Sequence, residues 1–484
     1  LNMSGEIMNV QPSKLFLAAA CMCTIALLGC NDAQNKEQKP KDKVTINENP
    51  YPSTYTPIVG KPTLITNVTI LDGIGNKIDK GAVLFSDGKI VGLSTTPLGE
   101  SLPAPDNVVV IDGEGKWVTP GIIDNHSHLG VYPSPSTKSH SDGNEMTSPV
   151  TAQVWAEHSV WPQDPGFTRA LAGGVTTLQI LPGSANLVGG RSVVLKNVPN
   201  RTMQSMKFPD APYGMKMACG ENPKRVYGQK GGPMTRMGNV AGYRQAWADA
   251  QDYIRKWERY ERDFDAGKSP TPPKRDLKLE TLAGVLKGDI LVHMHCYRAD
   301  EMTVMMDVMK EFNYKIGTFH HAVEAYKIAD TLKENQVCSA MWADWWGFKM
   351  EAYDGIRENI PAVHAAGACA IVHSDSDLGI QRLNQEAAKA WSDGKRAGLN
   401  ISKEEAWIWL AANPAKSLGI FDQTGSLEAG KQADIVLWSG DPFSTYTKAE
   451  RVFIDGGLAY ALDAQQDWPV SDFEIGQVGE GDSK

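Results

Sequence analysis

The chain has 484 residues, 42% hydrophobic and 22% charged, which at roughly 150 residues per domain allows about three structural units and a large buried core. A formal charge of −9 without any sustained basic run argues against nucleic acid or an anionic membrane surface as the main partner. The seven cysteines, Cys21, Cys23, Cys30, Cys219, Cys296, Cys338 and Cys369, are sparse and lack paired zinc-finger spacing, so neither a disulfide scaffold nor a thiolate zinc site is expected.

Lys14 is followed by an apolar run from Leu15 to Leu28, shorter than the ~20 residues a membrane-spanning helix needs. The run closes on Leu27-Leu28-Gly29-Cys30, which resembles a bacterial lipoprotein box. That resemblance implies that residues 1–29 are a cleaved signal peptide and that Cys30 becomes the lipidated first residue of the mature chain. Asn31, in place of an aspartate, implies the outer membrane, with the protein in the cell envelope facing the periplasm. The alternative is a plain cleaved signal or a buried helix. Residues 30–56, rich in Lys, Gln, Asn and Pro, read as a solvated tether.

Residues 57–118 carry short β-rich bursts such as Val68-Thr69-Ile70-Leu71 and Ala82-Val83-Leu84-Phe85, with Asp87-Gly88 as a hairpin signal. The same texture returns in residues 418–484, in Ile435-Val436-Leu437-Trp438 and Val452-Phe453-Ile454. Two β pieces flanking a long middle predict one small β-sandwich built from both chain ends.

The middle, residues 119–417, alternates apolar strands with helical stretches. Candidate strands are 119–125, 174–181, 191–196, 213–219, 289–295, 315–320, 336–341 and 368–373. Eight such alternations predict an α/β fold, a (β/α)8 TIM-like barrel with its chemistry at the C-terminal strand ends. An open doubly wound sheet is the competitor, but no Gly-rich dinucleotide turn opens a helix. Residues 237–266 form a charged helical insertion, expected to project from the rim as a solvated helix.

Val118 to His128 is an apolar strand ending in His126-Ser127-His128. Strand side chains alternate faces, so the two imidazoles point the same way, as a divalent cation requires. Further histidines fall where later strands end, at His293 and His295 and at His320 and His321, and the last strand ends in Ile371-Val372-His373-Ser374-Asp375. A lone buried histidine is ordinarily a packing residue, which is the reading for His140, His158 and His364; a concentration at strand ends is not.

With these motifs, and with Gly173-Gly174-Val175-Thr176-Thr177, Gly214 to Lys224, His295 to Glu301, Asn413-Pro414-Ala415 and Gly425 to Asp434, the sequence resembles the amidohydrolase superfamily, in its imidazolonepropionase and metal-dependent dipeptidase branch. The resemblance covers nearly the whole mature chain. It implies one or two divalent metal ions, zinc foremost. His126 and His128 would ligate one, His295 and His321 the other, and Asp375 would be both a ligand and the general base. His295 is preferred to His293 and His321 to His320 by the register of the flanking motifs. Adjacent residues of a strand face opposite ways, so only one of His320 and His321 is expected to point inward.

The bridging ligand is open between Lys216, which would have to be carbamylated because an ammonium has no lone pair, and Glu221 just past the strand. Metal-activated water attacking an amide-type C–N bond is the implied chemistry, with Asp375 moving the proton. Deamination is disfavoured by Arg298, three residues after His295. Tyr297, Arg298, Lys224 and Arg225 near strand ends suggest capture of a substrate carboxylate, hence a small-molecule or peptide substrate such as a dipeptide or an N-acyl amino acid. Trp342 to Phe348 would form an aromatic wall or lid, or pack on the insertion helix. An imidazolonepropionase-like hydrolase of cyclic amides and an inactive barrel serving as a binding lipoprotein are the alternatives. A homo-oligomer is compatible with the sequence.

Overall fold

A computed structural model describes residues 42–134 and 136–464. The segment 1–29, residues 30–41 of the tether, with Cys30 among them, and the chain beyond residue 464 lie outside the described residues. A compact unit begins at Thr45.

That unit opens with five strands, β1 (Thr63–Leu71), β2 (Lys77–Ser86), β3 (Lys89–Ser94), β4 (Val109–Asp112) and β5 (Trp117–Pro120). Asp87 and Gly88 join β2 to β3 with φ of 51° and 78°, the left-handed pair that a type I′ hairpin requires. The barrel strands follow: β6 (Ile122–Ser127), β7 (Val175–Ile180), β8 (Val188–Lys196), β9 (Gly214–Ala218), β10 (Leu291–His295), β11 (Ile316–His320), β12 (Cys338–Met341) and β13 (Ala370–Val372). The chain then closes with β14 (Ile435–Trp438), β15 (Ala449–Ile454) and β16 (Gly457–Ala461).

Both chain ends build one eight-stranded sheet in the order β16-β15-β14-β5-β1-β2-β3, with β4 also on β1. This is a single sheet where two stacked ones were expected. It rolls over its own core of Ile65, Val83, Ile435 and Leu437, and the Phe85 and Phe453 rings meet at 5.0 Å. The segment 119–125 straddles both sheets: β5 pairs with β14, and the chain enters the barrel at Gly121, where a Cβ would lie 2.0 Å from the Thr176 hydroxyl.

The second sheet runs β13-β12-β11-β10-β9-β8-β7-β6, a nearly closed eight-stranded barrel in an α/β fold. Its strands are buried on both faces, which explains their continuous apolar runs. Closure comes from the Asp375 N–H, which donates to the His126 carbonyl at 3.1 Å. The strict strand–helix alternation fails on both sides of β8, with no α-helix between β7 and β8 or between β8 and β9. β8 is antiparallel to both β7 and β9, and residues 181–187 join β7 to β8 without a helix. Seven residues are too few for a parallel crossover, which takes a dozen or more.

The helices are α1 (Pro165–Ala172), α2 (Glu221–Tyr227), α3 (Arg236–Asp265), α4 (Leu277–Lys287), α5 (Ala299–Phe312), α6 (Ala329–Glu334), α7 (Asn359–Ala365), α8 (Leu383–Arg396), α9 (Lys403–Trp407) and α10 (Ala412–Ser417). The insertion helix α3 corrects its reading as a solvated projection. Tyr243, Trp247, Ala250, Tyr253, Trp257 and Tyr260 recur at helical spacing and are buried, and Trp247 meets Tyr314 at 4.4 Å. The charged residues occupy only its outer face.

The cysteine expectation is also corrected. Cys219 pairs with Cys296 and Cys338 with Cys369, across 77 and 31 residues. Strand register, invisible to local spacing, makes them neighbours: Ala218 lies opposite His295, and Ser339 opposite Ala370.

Candidate functional site

The C-terminal ends of β6, β9, β10, β11 and β13 converge on a nest of imidazoles. His126 Nε2 and His128 Nε2 lie 3.3 Å apart, and both face Asp375 Oδ1, at 3.4 and 3.2 Å. His321 Nε2 lies 3.6 Å from Asp375 Oδ2, and its Nδ1 is 2.7 Å from His373 Nε2. Beneath them, His320 joins His126 at 2.8 Å and His293 at 3.0 Å. The His295 ring sits 5.0 Å from that of His321 and has no hydrogen-bond partner on either buried nitrogen.

Local backbone conformation makes this convergence possible. His321 and Asp375 both adopt left-handed φ, 57° and 49°, so the chain departs from strand alternation where each strand ends. His320 and His321 therefore both enter the nest, correcting the expectation of one inside and one outside. His293 and His295 share a face two residues apart and both enter.

Burial decides the protonation states. It pushes His126, His295, His320 and His321 well below the usual imidazole range, with neighbouring lysines or histidines adding to the effect. His293 falls to about 3 and His373 to about 4, chiefly by burial. For Asp375 burial acts upward, but His321, His128 and His373 around it hold the carboxyl below the usual carboxylate range. Burial thus favours the neutral form of His126, His293, His295, His320, His321 and His373, and Asp375 among them is ionised.

His128 Nδ1 donates to the Leu181 carbonyl at 2.8 Å, which turns its Nε2 toward Asp375. Donor atoms of His126, His128 and Asp375 lie within 4.8 Å of one another, as do those of His126, His321 and His373. Lone pairs facing lone pairs, with two orphaned nitrogens on His295, are a donor set that fits a divalent cation.

Lys216 on β9 lies fully buried, opposite His293. Its Nζ donates to the Pro182 carbonyl at 3.0 Å, and burial lowers its pKa to about 8. Asp124, also buried, receives the Ser374 hydroxyl and the His126 N–H, tying β6 to the segment that carries Asp375.

Of the other candidates, Tyr297 is in place, its ring 4.7 Å from that of His295. Three are not brought into the nest. The Glu221 carboxylate lies 3.7 Å from Lys349 Nζ. Arg298 caps the start of α5 and pairs with Asp300 at 2.9 Å. Arg225 is exposed on α2. Arg298 stands at the N-cap position of α5 beside Asp300, and Arg225 lies in the last turn of α2, so both side chains run along helix surfaces.

Sequence reasoning missed Lys349, whose Nζ lies 4.3 Å from the Tyr297 ring centre and 2.7 Å from Glu351. It also assigned no role to His293, His320 or His373. For His373 the signal was available, since it shares strand parity with Asp375. His140, His158 and His364 lie elsewhere; His364 Nδ1 accepts from Trp409 Nε1 at 3.0 Å.

A family model described as the amidohydrolase family matches residues 117–459. The amidohydrolase tasK of Hapsidospora irregularis is 32% identical over 432 residues, 82% of this chain and 43% of that protein, so the chain spans less than half of that relative. An imidazolonepropionase of Mesorhizobium japonicum is 23% identical over 403 residues, 76% of this chain and 89% of that one. The crystal structure of an amidohydrolase from Thermotoga maritima MSB8 is similar with a TM-score of 0.74 and 36% identity, covering 82% of this chain and all of that chain.

Proposed function

The chain belongs to the amidohydrolase family, and from that premise we propose that it is a metal-dependent hydrolase of an amide-type C–N bond, in a dipeptide or an N-acyl amino acid. The observation that carries this is the convergence of His126, His128 and Asp375 on one point, with His321 and His295 beside it. His126, His128 and Asp375 would hold one cation, and His295 and His321 a second. Zinc suits imidazole and carboxylate donors. A bound divalent cation supplies Lewis acidity to a carbonyl and acidifies water.

The chain's own groups do the rest. Asp375, ionised and three residues past the end of β13, accepts a proton from the attacking water and delivers it to the leaving nitrogen, so that amide and water become acid and amine. Trp342 Nε1 donates to the Ser374 carbonyl at 3.1 Å and so fixes the segment that presents Asp375. Buried neutral imidazoles keep the lone pairs that ligation needs. A second reading, opening of a cyclic amide, uses the same parts and is supported by the likeness to an imidazolonepropionase. A screen of dipeptides, N-acyl amino acids and hydantoin-like rings with zinc-loaded protein separates the two; absence of turnover on all three classes would refute both.

Lys216 is the better candidate for a bridge, as a carbamate. CO2 adds only to a neutral amine, and a pKa near 8 leaves a sizeable neutral fraction at pH 7–8. Glu221 is drawn away by Lys349. Lys216→Ala is expected to lose one metal ion and most activity, both partly restored by short carboxylates such as formate, while Glu221→Gln is milder. The reverse ranking in metal content and rate would assign the bridge to Glu221.

Cys30 is proposed as a lipid attachment site holding the protein at the periplasmic face of the outer membrane. Two cystines in the barrel accord with an oxidising compartment, and no helix among the described residues is long and apolar enough to cross a membrane. Cys30→Ser is expected to shift the protein from the membrane to the soluble fraction, or to leave it uncleaved. Unaltered processing and fractionation would remove the proposal.

A further inference from the structure

The loop after β12 carries aromatic side chains that lead outward from the nest. The Trp342 indole lies against the His321 ring at 4.5 Å and 23°, and 5.2 Å from His373. Its orientation is fixed by the hydrogen bond from Nε1 to Ser374. Phe348 stands edge-on to Trp342 at 5.8 Å and to Tyr297 at 6.2 Å, and Trp345 lies 5.7 Å from Trp342. Burial grades along this strip: Tyr297 is 5% exposed, Trp345 42% and Phe348 59%. Met350 and Tyr353, next along the chain, are 80% and 70% exposed.

Exposed aromatic rings beside a polar, ligand-rich centre need an occupant to account for them. Their ring contacts run to Tyr297, His321 and His373, on elements other than α3, which favours the role of a wall over packing on the insertion helix. A cationic occupant is disfavoured, because Lys349 already lies over the Tyr297 ring and pairs with Glu351. A second positive charge there would meet like charge.

The geometry points to a substrate subsite formed by Trp342, Trp345 and Phe348 that takes a bulky apolar side chain, aromatic or branched aliphatic, next to the scissile amide. This rests on the reading of the nest as an amide-hydrolysing centre and narrows its substrate class. The strip begins at ring contact with His321, so a side chain lying along it is attached within a few bonds of the carbonyl that the centre polarises. The subsite acts on specificity: apolar area buried at the strip favours large side chains over glycine, a difference that in such pockets reaches tenfold or more.

The test compares N-acetyl-phenylalanine, N-acetyl-leucine and N-acetyl-glycine with zinc-loaded full-length protein, by kcat/KM for deacetylation and, separately, by calorimetric binding of the same compounds. Wild type is expected to favour the phenylalanine and leucine compounds over glycine by about tenfold or more in both readouts. Phe348→Ala and Trp345→Ala, singly and together, should bring both ratios toward one. Tyr446→Ala, an exposed aromatic on another part of the chain, should keep them.

Selective binding without turnover would uphold the subsite and refute the amide-hydrolysis reading for these compounds. Turnover of all three at similar rates would refute the subsite and leave the hydrolysis reading standing. Preferences that persist in the double variant, or no binding at all, would overturn the inference. So would a change of oligomeric state in the variants by light scattering, which would give the strip to a second copy of the chain.

Discussion

Asp375→Asn should lower turnover by at least about a hundredfold while leaving the fold and the melting temperature nearly unchanged. General base catalysis contributes roughly 10²- to 10⁴-fold, and the variant also weakens a ligand, so both losses fall on one residue. Structure is spared because asparagine tolerates the left-handed backbone found here, φ 49°, and keeps the N–H that closes the barrel onto His126. Asp377 is the control. Its carboxylate accepts a long hydrogen bond, 3.5 Å, from the Ser134 hydroxyl, so Asp377→Asn should retain activity. Initial rates and thermal melts of the two variants decide the matter. A normal rate for Asp375→Asn with a loss for Asp377→Asn would move the general base two residues along.

Removal of divalent metal should abolish activity without unfolding the barrel. Purified protein is expected to carry between one and two transition-metal ions per chain, measured by elemental analysis, and chelator treatment should remove them with the far-ultraviolet dichroism intact. The apolar core lies in the strands and helices around the nest and does not depend on it. Acid adds a second signature. His293 and His373 have pKa values of about 3 and 4 in the fold against 6.5 outside it, so the unfolded chain binds more protons in that window. Stability of the metal-free protein should therefore fall as pH drops from about 6.5 toward 4. Full activity of a metal-free preparation would refute the mechanism, and a flat stability profile would refute the burial of neutral imidazoles.

The parts of the site that local pattern encodes were legible in the sequence. His126-x-His128 at the end of an apolar run gives two side chains on one face, and β6 presents them so. Strand positions followed from apolar bursts, since strands covered on both faces can carry little else. Legibility ended where three-dimensional register takes over. Nothing near Cys219 names Cys296 as its neighbour; strand pairing does that. The expectation for His320 and His321 rested on strand parity, and a left-handed residue at the strand end cancels parity. Arg298 and Arg225 were placed by proximity to strand ends in sequence, whereas helical geometry turns them outward. Lys349 reaches the site from a loop that local pattern leaves unplaced. The reversal of β8 was readable in principle, because the stretch between the second and third strands is too short for a crossover.

That reversal shapes how the protein tolerates change. Where a parallel strand would have opened onto a long catalytic loop, residues 181–187 form a short hairpin connection whose main-chain carbonyls, at Leu181 and Pro182, hold His128 and Lys216. The contribution is one of path and length, carried by atoms that every amino acid possesses. Side-chain replacement there leaves these acceptors in the polymer, while insertion or deletion of a single residue displaces two site residues at once. Directed evolution of new activities on this scaffold should therefore diversify the loop after β12 at Trp345 and Phe348, keep Trp342 for its hold on Ser374, and hold the length of 181–187 constant.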